Sequence, residues 1–422
     1  VTGAAVEDVR ASIDAVWRIE SARVVSALAR LHGDLGLAEE TAQEALVAAL
    51  EQWPRDGIPR NPAAWLMTTG RRRAIDRIRR EVNLREKVAV LASDLDDHDD
   101  PYDEADTRLD DQIGDDMLRL VFTACHPVLS PEARIALTLK TVAGLSTAEI
   151  ARAFLSSEST IVQRIVRAKR ALSDGRIGFA APTAEEMPER LPTVLSVIYL
   201  IFNEGYSASS GDDWFRPELC RDALRLGRML CNLLPNESDV FALTALMEFQ
   251  ASRLAARTTR DGRPILLLDQ NRALWDRLSI TRGLRSLQRV RELGGSRTSY
   301  ALQAAIAAQH ARAATAEDTD WVAIASLYEV LAEVAPSPIV ELNRAVALGM
   351  AYGPQAGLDL VDQLRDVPAL QRYHLLPSVR GDLLARLGRN AEAAEEFRLA
   401  AELAGNDQER ELSISRARSL EG

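Results

Sequence analysis

Cysteine and histidine are scarce. Three cysteines (Cys125, Cys220, Cys231) and five histidines are spread over 422 residues. No two cysteines make a CxxC pair, so neither a disulfide framework nor a metal site is indicated, and a reduced cytoplasm is the simplest compartment. No uncharged apolar run reaches the ~18 residues of a membrane span. The first residues mix acids, bases and apolar side chains, unlike a secretory leader. Neither GxGxxG nor GK[ST] is present, so no nucleotide cofactor is expected. Glu204 in "FNEG" has no His, Cys or carboxylate partner at a defined spacing, and an enzyme is not indicated.

The chain is long enough for two to four domains. Hydrophobic residues make up 47% and charged residues 27%, as in an ordinary globular protein. The formal charge is -11, which by itself disfavours nucleic acid. Its distribution says otherwise. From Arg60 to Arg80 there are seven Arg and one acid, Asp76; from Arg152 to Leu172 there are four Arg and one Lys against Glu158. Between these patches, Asp94 to Asp116 holds twelve acids against Arg108.

The periodic segments are rich in Ala, Leu, Arg and Glu, and strand-like alternation is scarce, which predicts an all-α protein. Helices are expected over 14–31, 37–53 and 63–81, with the three-proline stretch "PRDGIPRNP" as a turn. These form a first domain over 1–82. The acidic stretch 83–111 reads as an exposed linker. A second domain spans 112–175. In it "DDMLRLVFTACHPVL" is a helix ending at Pro127, and Ser130 caps the next with Pro131 at its first position. Ser146 and Glu149 make a capping box, and Ser157 caps the helix of "ESTIVQRIVRAKRAL". Residues 176–422 form a helical extension. Near its end "IVELNRAVALGMAYGPQAGLDLVDQL" and "VRGDLLARLGRNAEAAEEFRLAAEL" align with Leu348-Gly349 on Leu387-Gly388, a helical repeat with a period in the thirties.

"GLSTAEIARAFLSSESTIVQRIVRAKRAL" reads as two helices across a tight turn. Ile161, Ile165, Ala168 and Leu172 form the inner face of the second helix; Gln163, Arg164, Arg167 and Arg170 lie outside. A helix presented in this way is the helix-turn-helix arrangement, suited to the DNA major groove. In "NPAAWLMTTGRRRAIDRIRR", Ala64, Met67, Ala74, Ile75 and Ile78 are the expected apolar contacts and Trp65 a core anchor. "GLAEETAQEALVAAL" places Glu39, Glu40, Gln43 and Glu44 on one polar side and Ala42, Ala45, Leu46 and Ala49 on the other. Tyr199, Phe202, Tyr206 and Trp214 are candidates for contact between the extension and the preceding domains.

In this order, "AEETAQEALVAAL", "AWLMTTGRRRAIDRIRR" and "GLSTAEIARAFLSSESTIVQRIVRAKRAL" resemble RNA polymerase sigma factors of the extracytoplasmic-function (ECF) type. The motifs correspond to the clamp-binding and promoter-melting helices of region 2 and to region 4. "VLSVIYLIFNEGYSAS" and "DGRPILLLDQNRALWD" resemble the extension of the group with tetratricopeptide-like C-terminal helices. The resemblance implies that Glu39, Glu40, Gln43 and Glu44 meet the clamp coiled coil of the β′ subunit of core polymerase. Arg71, Arg72, Arg73, Asp76, Arg77, Arg79 and Arg80 would meet the -10 strand. Thr160, Gln163, Arg164 and Arg167 would meet the -35 element, with Arg170 on phosphate. Arg72 stands where the family usually has Asn, and Val162 where many members have Lys or Arg. A small YCII-related protein with a DGPF motif is a candidate partner, and a membrane anti-sigma factor is not expected. Two other readings remain open: a helix-turn-helix regulator acting without polymerase, which leaves the Glu39–Glu44 stripe unused, and a scaffold of helical repeats with incidental basic helices.

Overall fold

In the computed structural model the described residues are 3–90, 109–154, 156–206, 217–259, 265–405 and 407–420. They are helical almost throughout, as the residue content predicts, and divide into two units, Val1–Leu200 and Ile201–Gly422. None of their helices is long and apolar enough to cross a membrane.

The first unit opens with α1 (Gly3–His32), α2 (Leu35–Asp56) and α3 (Pro62–Val90), which pack on one another. Ala38, Ala42, Ala45 and Ala49 form a fully buried stripe on α2. Such small side chains let neighbouring helices approach closely. Asp34 caps α2, accepting from Leu37 N at 2.9 Å. Contrary to expectation, α2 runs through Pro54 to Asp56. A proline in the last turn forfeits a single backbone hydrogen bond, and Gly57 closes the helix at positive φ by donating to the Trp53 carbonyl. The apolar face of α3 also differs. Leu66, Gly70 and Ala74 are buried at i, i+4 and i+8, whereas Ala64 and Ile75 are exposed. A Cβ on Gly70 would meet Leu28 Cδ1 at 3.1 Å, so glycine here permits α3 to close on α1. Trp65 is half-buried, edge-on to the fully buried Trp53 at 5.4 Å.

The unit continues with α4 (Leu109–Ala124), α5 (Pro131–Thr141), α6 (Thr147–Ala153) and α7 (Glu158–Asp174). α8 (Met187–Tyr206) then carries the chain into the second unit. α4 stops at Ala124, three residues before Pro127, because the residue before a proline is biased away from helix and the turn tightens around it. Arg134 holds that turn, donating to the carbonyls of His126 (3.2 Å) and Pro127 (3.0 Å). The acidic-linker residues 91–108 lie outside the described residues, although α3 reaches Val90, beyond the expected end at 81.

The second unit contains α9 (Pro217–Leu233), α10 (Ser238–Ala251), α11 (Arg277–Glu292), α12 (Ser299–Arg312), α13 (Trp321–Val334), α14 (Pro338–Tyr352), α15 (Pro354–Leu364), α16 (Leu375–Arg386), α17 (Asn390–Leu403) and α18 (Asp407–Ser419). Consecutive helices pack on one another in a helix-repeat array of the tetratricopeptide-like kind. The register of the repeat is corrected. Gly388 sits in the turn between α16 and α17, and its counterpart is Gly353 between α14 and α15; both have positive φ. Gly349, matched to Gly388 by sequence, lies inside α14, where a Cβ would meet Leu383 Cδ2 at 2.6 Å. Arg380 on α16 ties the repeats, binding Asp362 of α15 and Glu396 of α17 at 2.7 Å each. Of the aromatics assigned to an inter-domain contact, Phe202 is fully buried and stacks on Tyr206 at 5.7 Å within the second unit. Trp214 lies outside the described residues.

Candidate nucleic-acid interface

The helix pair α6–α7 is built by local capping. Ser146 N donates to Glu149 Oε2 (2.8 Å) and Glu149 N donates to Ser146 Oγ (3.1 Å), the expected reciprocal box. Ser157 Oγ accepts from Thr160 N at 3.1 Å. Thr147 Oγ1 donates to Glu158 Oε1 at 2.7 Å, so Glu158 ties the start of α7 to α6. Ile161, Ile165, Ala168 and Leu172 are buried, which fixes the opposite face of α7 outward. Thr160, Gln163 and Arg167 are exposed and Arg164 is half-buried. These four side chains line one groove of about 440 Å³ together with the α4–α5 turn. Ser130, its own backbone and Arg164 hold the Glu132 carboxyl of this groove below its usual range, backbone bonding first. Arg170 is exposed and pairs with Asp174 at 3.3 Å.

The acidic side of α2 and the basic side of α3 face each other. Arg77 Nη1 lies 2.9 Å from Glu40 Oε2, and Arg73 Nη1 lies 3.3 Å from Glu44 Oε2. Arg72, Asp76, Arg79 and Arg80 are exposed, and Arg71 is half-buried. Arg80 Nε donates to the Asp76 carbonyl. The expected stripe on α2 divides: Glu40 and Gln43 are exposed and Glu44 half-exposed, whereas Glu39 is buried. Glu39 borders the Ala38–Ala42 stripe, and it accepts from Gln43 Nε2 and pairs with Lys169 of α7 at 2.5 Å. A second ion pair joins the same two parts of the unit, Arg30 Nε to the buried Asp116 Oδ2 at 3.1 Å.

Sequence reasoning missed three features. Lys169 was one cation of a cluster, and the structure turns it to Glu39. Asp116 ends the acidic run that starts at Asp94, yet it is buried between Arg30 and Arg119. Val47 and Leu50 are exposed on α2, on the side of Glu40 and Gln43. The spacing 40, 43, 47, 50 was a readable signal for that mixed face.

With this geometry in place, comparison with known proteins decides the family. A model of sigma-70 region 2 matches residues 18–83, and one of sigma-70 region 4 matches 119–172. An ECF RNA polymerase sigma factor, SigK of Mycobacterium ulcerans, is 33% identical over 36% of this chain and 78% of its own length. The chain belongs to the sigma-70 family. The probable ECF sigma factor SigI of Mycobacterium tuberculosis is 30% identical over 41% of this chain and 58% of its own. An uncharacterized protein of Rhizobium meliloti is 44% identical over 92% of this chain and 90% of its own. That likeness extends through the second unit of this sigma-70 protein. A family of unknown function accounts for residues 190–291.

Proposed function

We propose that this sigma-70 protein is an ECF-type initiation factor of the group with a tetratricopeptide-like extension. Its α2 binds the clamp coiled coil of core polymerase through Glu40, Gln43 and Glu44, flanked by the exposed Val47 and Leu50. Glu39, buried under Lys169, supports that face through its bond from Gln43. Arg71, Arg72, Arg73, Asp76, Arg77, Arg79 and Arg80 of α3 meet the -10 strand. Thr160, Gln163, Arg164 and Arg167 of α7 read the -35 duplex, with Arg170 on phosphate. Holding unstacked bases on single-strand contacts offsets the few kcal/mol per step that opening costs, so no catalytic residue is required. The second unit modulates this activity, and a small DGPF protein is its candidate partner.

The observation that carries the reading is the convergence of Thr160, Gln163, Arg164 and Arg167 on one outward groove of a capped helix pair. The test is reconstitution: core polymerase, this chain and the candidate DGPF protein on a library of duplex promoters. Promoter-specific transcripts that depend on the chain are expected. Their absence overturns the reading.

A further inference from the structure

In the second unit arginines alternate with aromatic rings. Arg257 lies over the Tyr206 ring, its Cζ 3.6 Å from the centroid. Arg253 lies 5.9 Å from the centroids of both Tyr206 and Trp275, and Arg272 lies 5.0 Å from that of Trp275. The π faces partly compensate the guanidinium charges. Arg253 Nη2 donates to the Tyr206 hydroxyl at 2.6 Å, and Arg257 Nη1 donates to the Tyr206 carbonyl. Arg272 donates to the carbonyls of His310 (2.7 Å) and Ala313 (3.0 Å) and to Thr319 Oγ1 (2.9 Å).

Neutral acceptors take up part of this donor capacity and leave the rest. Among the described residues no carboxylate hydrogen-bonds to Arg253 or Arg272; Glu317 and Asp318 attract Arg272 only through space. Arg253 Nε, Arg272 Nε and Trp275 Nε1 are shielded from solvent without an acceptor, and His310 Nδ1 also has no partner. Arg272 and Trp275 are only 5% and 3% exposed. Guanidinium and indole N–H groups can only donate, so the missing partner is an acceptor. Arg272 is a buried cation and Arg253 a half-buried one, and among the described residues neither has a bonded carboxylate, which favours an anion as that acceptor.

We propose that Arg253, Arg272 and Trp275 form a binding site for the oxyanion group, phosphate or carboxylate, of a small molecule. Burial of the donors favours a small ligand over a macromolecule. Burial, then Arg253 and Arg272, push the His310 imidazole down to about 4, so the histidine adds no charge of its own at neutral pH. Arg253, Arg272 and Trp275 fall in the stretch matched by the family of unknown function, outside both sigma regions. The site therefore stands apart from the polymerase reading.

The full chain is titrated with inorganic phosphate and, separately, with succinate, at ionic strength held constant with chloride. Heat release and thermal midpoint are recorded. Saturable binding with a rise in midpoint is expected for at least one anion. Arg253→Gln should weaken it tenfold or more. Trp275→Phe keeps the ring, removes the N–H, and should weaken it severalfold. A response to phosphate alone assigns a phosphate-bearing ligand, and a response to succinate alone a carboxylate-bearing one. No saturable response of the parent chain to either anion overturns the proposal. So does unchanged affinity in both variants.

Discussion

Lys169 on α7 and Glu39 on α2 form an ion pair at 2.5 Å, with the carboxylate side chain 5% exposed and the lysine 24%. This pair joins the helix assigned to the -35 element to the helix assigned to polymerase. Removing one partner leaves a buried charge alone, whereas removing both does not. Lys169→Met should therefore destabilise the first unit by about 2–4 kcal/mol, and Glu39→Gln in the same chain should restore most of it. A double-mutant cycle by denaturant unfolding checks this; additive effects would rule out the coupling.

The same pair bears on the proposed initiation role. Elements named -35 and -10 lie ~25 base pairs apart, about 85 Å of B-form duplex. Here α7 is paired to α2 and α2 to α3, so α7 and α3 are separated by one helix about 10 Å across. Engaging both elements at once requires Lys169 and Glu39 to part. Fluorophores on α3 and α7 should show a large loss of energy transfer when core polymerase and promoter are added. Unchanged transfer in an active complex would contradict this.

The outward side chains of α7 should separate by role. Arg170→Ala should weaken duplex binding evenly across sequences and lower the salt slope by about 1. Gln163→Ala or Arg167→Ala should instead cost about 1–3 kcal/mol on the preferred duplex and relax discrimination. Anisotropy titrations on preferred and scrambled duplexes at several salt concentrations make the distinction.

Gly357 on α15 crosses α14 closely. A Cβ there would lie 2.6 Å from the Ala345 carbonyl oxygen and 3.0 Å from Gly349 Cα. Backbone cannot yield as a flexible side chain can. Gly357→Ala should cost about 2–3 kcal/mol in the second unit, seen as a lower denaturant midpoint.

His310 sets a pH dependence. Its folded value of about 4 lies below the ordinary 6.5, chiefly through burial and then through Arg253 and Arg272. Between these values the unfolded chain binds more protons, so stability is full above pH 6.5 and falls as the pH drops toward 4. The loss amounts to up to about 3 kcal/mol. Unfolding across this range should show the decline, and His310→Asn should flatten it.

Local rules were readable where they act within a few residues. The Ser146–Glu149 box, the Ser157 and Ser130 caps, and the inner face Ile161–Ile165–Ala168–Leu172 all stand as the spacing predicts. Spacing failed where two faces compete for one residue. Ile75 and Leu66 both fit an apolar stripe on α3, and the close approach at Gly70 selects the line through Leu66. Likewise Glu39 and Glu40 both fit a polar stripe, and a cation more than a hundred positions away drew the first inward.

Sequence alone determined the helical class, the order of the two basic segments and the polar composition of their outer faces. Each follows from periodicity and from caps that close over three or four residues. Tertiary structure decided which charges are spent inside the protein. It turned Lys169 to Glu39, Asp116 to Arg30, and the acidic side of α2 to the basic side of α3. It also gathered Arg253, Arg272, Trp275 and His310 from separate helices and turns into one cluster. Charge on a helix is legible in sequence, but its partner is set by which helices pack together, and that depends on contacts far apart along the chain.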